Sequence, residues 1–69
     1  MMRSPMSEEQ KRIRAAAYIA HPNGIVPADS AGREVCESLV RRGDLNALGI
    51  GYLASDELIG AMALQAQAN

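Results

Sequence analysis

His21 and Cys36 are the only imidazole and the only thiol in the 69 residues, and together they could supply a general base and a nucleophile. That chemistry also needs a third group to orient the imidazole and an oxyanion hole in a cleft, which a core of this size and composition is ill suited to enclose. As metal ligands the two fall short, because two soft donors do not close a tetrahedral zinc shell. Their plainer roles are a helix-terminal histidine favoured by the dipole and a small core cysteine. No other group in the sequence has the spacing of a catalytic, metal or phosphate site. The expectation is a protein that is not an enzyme, with no cofactor and no metal.

Gly49-Ile50-Gly51-Tyr52-Leu53-Ala54 fits the G-x-G-x-x-A spacing with which glycines let a backbone approach a pyrophosphate. Such a site needs a βαβ unit of about 30 residues and an acidic ribose partner about 20 residues on, and the residues after Ala54 cannot complete one. The glycines therefore read as turn residues.

Binding chemistry is better represented. Lys11, Arg14 and Tyr18 are predicted to share the polar face of a first helix, where an aromatic ring beside two cations can stack on, or donate to, an acidic partner surface. Arg41 has Glu37 one turn earlier and should pair with it, whereas Arg42 has Ser38 and Leu39 at those spacings and points to a partner protein. Tyr52, facing outward, would add apolar contact. Gly60, Ala61 and Leu64 could let the last helix pack on a second copy as a homodimer.

The elements that must position these residues are signalled by caps and periodicity. Residues 1–6 form a lead-in, and residues 7–69 a single small domain. Ser7-Glu8-Glu9-Gln10 is a capping box, followed by Ile13, Ala16, Ala17, Ile19 and Ala20 on one expected core face. His21-Pro22-Asn23-Gly24 ends that helix, and Ile25-Val26 before Pro27 is extended, a short edge strand. Asp29 or Ser30 caps a second helix with Ala28, Ala31, Val35, Cys36, Leu39 and Val40 inward, Arg41 and Arg42 in its last turn, and Gly43 as a left-handed stop. Leu48, Ile50 and Tyr52 then alternate with glycines as a hairpin, and Ser55 caps a third helix whose core face is Leu58, Ile59, Met62, Ala63 and Ala66. Gly60 inside that helix suggests close contact with another backbone, and residues 65–69 should fray. The predicted class is α+β, mostly helical, with helices at about 7–21, 29–42 and 55–67 and a β-hairpin or strand pair at about 45–53.

Composition limits what this architecture can do. Five Ile, six Leu and three Val carry the core with twelve Ala, and there is no Phe or Trp. A chain this short buries only about 60% of the surface its unfolded form exposes, so marginal stability or help from a second copy is expected. The net charge is −1, with all seven basic residues in positions 1–42 and none in 43–69, a balance too weak to argue for nonspecific nucleic-acid binding. The single cysteine fits a reducing, cytoplasmic setting. Arg3 is followed by no apolar h-region, and no apolar run is long enough to span a bilayer, so neither a signal peptide nor a membrane helix is expected.

From Val35 to Leu58 the chain resembles the end of a winged-helix DNA-binding domain. Leu39, Gly43 and Leu45 match the Leu-x-x-x-Gly-x-Leu close of a recognition helix, and Tyr52-Leu53 matches the aromatic return strand. The resemblance implies a DNA-binding regulator with Arg33, Arg41 and Arg42 as contacts. Two departures count against it: there is no room before Pro27 for the first helix of a helix-turn-helix pair, and the wing, residues 46–51, has no Lys or Arg. Glu34 and Glu37 on the exposed helix face would also repel phosphates. In type, by small size and lack of catalytic motif, the chain is similar to the accessory proteins of phages and mobile elements, including anti-CRISPR proteins. That likeness implies a bacterial protein partner whose site is occluded, with Lys11, Arg14, Tyr18, Arg42 and Tyr52 as the expected contacts.

Overall fold

The computed structural model describes residues 5–68, in the order α1 (Glu8–Ala20), α2 (Ser30–Arg42), β1 (Leu45–Leu48), β2 (Gly51–Ala54) and α3 (Asp56–Ala68). The fold is α+β and mostly helical, three helices with one antiparallel β-hairpin. Of the expected lead-in, residues 1–4 lie outside the described residues, as does Asn69 at the end that was expected to fray. α3 continues through Ala68.

The local signals act as their chemistry dictates. The Ser7 hydroxyl accepts from the Gln10 amide at 3.1 Å and the Gln10 side chain accepts from the Ser7 amide at 2.8 Å, completing the capping box. Asp29 caps α2 by accepting from the Gly32 amide at 2.8 Å, and Gly43 closes that helix at φ 91°, where a Cβ is unfavourable. Ser55 both accepts from the Leu58 amide at 3.1 Å and donates to the Gly43 carbonyl at 2.6 Å, so one hydroxyl caps α3 and ties its start to the end of α2.

β1 and β2 pair with Leu45 opposite Ala54 and Leu48 opposite Gly51. Gly49, at φ 60°, takes the first central position of the two-residue turn, as a type II′ connection requires. The Ile25 and Tyr52 amides each donate to the other's carbonyl at 2.8 Å, so the extended segment after α1 adds a one-residue third strand on the far side of β2. The expected edge strand is thus a single bridge.

Helices α1 and α2 pack on one another, α1 also on β2 and α3, and α2 on β1. The core is Ala17, Cys36, Leu39, Leu45, Tyr52, Ala54 and Leu58. The inward face of α1 is rotated from the expected one. Gln10, Ile13, Arg14, Ala17 and Tyr18 are buried or half-buried, at the i, i+3, i+4, i+7, i+8 spacing of a helix stripe, whereas Ala16 is exposed and Ile19 is 80% exposed. Alanines bury little area wherever they sit, so the longer side chains decide the rotation, and Gln10 and Arg14, inward and polar, each meet a partner. The Gln10 side-chain Nε2 donates to Ser38 Oγ of α2 at 3.0 Å, and Arg14 reaches Asp44. In α3, Leu58 is buried and Ile59 and Met62 half-buried, but Ala63 and Ala66, expected inside, are exposed. Ala28 and Ala31 are exposed likewise.

Candidate interaction surface

The expected contact residues do not form one surface. Lys11 is exposed and pairs with Glu8 at 3.4 Å on its own helix. Arg14 turns inward, its side chain only 20% exposed, with its Nε 3.4 Å from Asp44 Oδ2 and Nη1 3.5 Å from Met62 Sδ. That is an ion pair without hydrogen-bond geometry at Nε, and it joins α1 to the loop after α2 and to α3. Tyr18 is half-buried against the core. Arg42 is half-buried and has an interaction within the fold.

Tyr52 is 2% exposed, so the outward orientation expected for it is also corrected. Its hydroxyl donates to Glu37 Oε2 at 2.5 Å and accepts from Arg33 Nη1 at 3.4 Å. Glu37, expected to serve Arg41, is therefore committed to the hairpin. The hydrogen bond to Glu37 and then burial raise the Tyr52 phenol above its ordinary range.

The thiol and the imidazole are separated in role. Cys36 is fully buried, and burial pushes its thiol up, with Arg33 opposing and Glu37 adding; a protonated, covered thiol is a poor nucleophile. His21 is exposed at the C-cap of α1, its amide donating to the carbonyls of Ala17 and Tyr18. An open groove of about 470 Å³ runs between α1 and α2, with Ile13, Ala16, Val26, Ala28, Ala31 and Val35 among its walls; it borders Cys36 but not His21. Among the described residues no three of His, Cys, Asp and Glu converge as a metal site, and no helix is long and apolar enough to cross a membrane.

What the fold does assemble is an apolar face on the hairpin. Because Tyr52 exchanges both backbone hydrogen bonds with Ile25, the Gly51 and Leu53 backbones face β1, and side chains alternate across the sheet. Leu45, Tyr52 and Ala54 point into the core; Leu48, Gly51 and Leu53 point away from it. Leu48 lies opposite Gly51, Ile50 precedes it, and a Cβ built on Gly51 would stand 3.2 Å from Val26 Cγ2. The Ile25 carbonyl oxygen, 2.9 Å from that Cβ position, closes the same space, so Gly51 is the point where the segment after α1 crosses the sheet closely, flanked by Val26, Leu48 and Ile50, which are 60%, 64% and 73% exposed. No charged residue occurs from Leu45 to Ser55. Val26 also borders the groove.

Sequence reasoning missed this face because simple alternation put Leu48, Ile50 and Tyr52 together. The available signal was the Gly49-Ile50 pair: a two-residue turn there breaks the alternation and sends Leu48 and Tyr52 to opposite faces. The expected dimer contacts on α3 are all exposed, Leu64 at 68%, and the space beside Gly60 is open, so no backbone of the same chain approaches it. In comparisons with known proteins, no family model, no curated protein and no solved structure matches the chain.

Proposed function

We propose that this protein is a small non-enzymatic protein-binding module that acts by occluding a site on a larger protein. Its contact surface is the face formed by Val26, Leu48 and Ile50 around Gly51. The observation that carries this reading is three large aliphatic side chains, each more than half exposed: Leu48 and Ile50 on a hairpin without a charge, and Val26 on the segment beside it. Scattered exposed aliphatics are ordinary, but a contiguous patch beside a groove is the pattern of a binding surface. The likeness in type to anti-CRISPR proteins implies a bacterial complex as the target. Capture from a bacterial lysate on immobilised protein tests the reading. A specific partner retained by wild type and by Lys11→Ala, and lost with Ile50→Asp, is the expected result; retention by Ile50→Asp would remove the assigned surface.

A second reading, a winged-helix-like DNA-binding regulator, draws support from one observation. The Ile25–Tyr52 bridge places a third strand between α1 and α2, as that topology requires. Against it, the hairpin tip that would serve as the wing is apolar, and Glu34 is exposed on the helix that would enter the groove. Retardation of random duplex that weakens steeply with salt would favour this reading; none at micromolar protein would exclude it.

A further inference from the structure

We propose that Asn23 is a self-modification site, at which the folded protein converts its own side-chain amide to a carboxylate through attack by the Gly24 backbone nitrogen. Asn23 is exposed in the turn after α1, and Gly24 brings no side chain to crowd its nitrogen. Main-chain hydrogen bonds hold the chain on both sides of this pair. The Asn23 amide donates to the Ala20 carbonyl at 2.8 Å, and Ile25 exchanges two bonds of 2.8 Å with Tyr52. The peptide unit between them differs: among the described residues, neither the Asn23 carbonyl nor the Gly24 N–H has a hydrogen-bond partner. That unit is free to swing about the line joining the two Cα atoms without disturbing either anchor, a turn that the wide φ range of glycine permits. Swinging presents the Gly24 nitrogen to Asn23 Cγ, and closure of a five-membered ring makes the attack effectively unimolecular.

Water is the only co-reactant. Solvent base takes the Gly24 amide proton, the nitrogen bonds to Asn23 Cγ, and the Cγ–Nδ2 bond breaks to release ammonia. Water then opens the succinimide. Cleavage between Cγ and the nitrogen leaves aspartate, whereas cleavage at the main-chain carbonyl leaves isoaspartate, with the chain routed through Cγ. Isoaspartate lengthens the main chain by one methylene between two fixed points. Gly24 has no room to absorb it, since a Cβ there would already lie 2.7 Å from the Tyr52 carbonyl oxygen and from Leu53 Cδ2. The slack falls on the isolated Ile25–Tyr52 bridge, which joins the segment after α1 to the sheet, and loosens it. Asn46, the other described asparagine, is an internal control: its backbone is paired with Leu53 in the hairpin, and the following Ala47 carries a methyl group beside the nitrogen.

The test ages the full chain in warm, mildly alkaline buffer and reads amide-to-acid conversion by peptide mapping, beside the same chain unfolded in urea and the folded variant Asn23→Gln. Expected in the folded chain are aspartate and isoaspartate at position 23, no change at Asn46, and conversion at least about tenfold slower in Asn23→Gln, whose ring would need an extra atom. Hydrogen exchange on the separated isoaspartate form then reads the bridge: the Ile25 and Tyr52 amides should exchange at least about tenfold faster than in wild type, and freshly prepared Asn23→Asp, which adds the charge without the methylene, should not. Conversion in urea but none in the folded chain overturns the site. Equal conversion at Asn46 overturns its assignment to the unbonded turn. Unchanged exchange at Ile25 in the isoaspartate form overturns the loosening of the bridge.

Discussion

Arg14 and Tyr52 show how polar groups at the margin of a small core are retained. Each is held by an acid from another element, Arg14 by Asp44 and Tyr52 by Glu37. Removing one member of a half-buried pair strands the other, so Asp44→Ala is expected to cost about 1–3 kcal/mol in a denaturant titration. Glu8→Ala, which breaks an exposed pair with Lys11, should stay within about 0.5 kcal/mol. The Tyr52 phenol holds its proton more tightly folded than unfolded, because its raised value exceeds the ordinary 10.0. Its contribution is therefore complete below pH 10 and fades as the pH climbs past that value toward the raised one. Melting temperature followed from pH 8 to 11 should fall more for wild type than for Tyr52→Phe; equal slopes would refute the bond's role.

The helices and hairpin were readable in advance because their ends are written in short-range chemistry. Ser7, Asp29 and Ser55 each cap their helix within three residues of their own position, Gly43 closes α2 by its own backbone conformation, and the observed boundaries fall within about two residues of the expected ones. Which way α1 and the hairpin face was not readable. In α1 the alanines gave no clear apolar side, and the choice fell to Arg14 finding Asp44, a partner thirty positions away whose location only the fold supplies. In the hairpin a single two-residue turn decided that Tyr52 is core and Leu48 surface. The candidate contact residues inherited both errors, which is why Arg14 and Tyr52 are structural. At the caps, Ser55→Ala should cost about 1–2 kcal/mol, since it removes both the α3 cap and the donor to the Gly43 carbonyl. Gly43→Ala should cost about as much, from a left-handed φ and a Cβ 3.1 Å from Glu57 Oε2.

For the molecule as a whole, a core of seven buried side chains among the described residues leaves little reserve. A domain of this length is expected to hold about 3–10 kcal/mol of stability, and Leu39→Ala alone should remove about 2–5 kcal/mol. Such a variant would be largely unfolded at the lower end of that range, and covering the hairpin face would add stability by mass action. Although few large side chains are available, Leu48 and Ile50 on the uncharged hairpin and Val26 beside it stand outside the core. The most direct trial of that surface is the amide spectrum of ¹⁵N-labelled protein titrated with the captured partner. Shifts confined to Val26 and residues 46–51 are predicted. Shifts mapping instead to the exposed face of α1 or to α3 would contradict the hairpin face as the place where this protein makes contact.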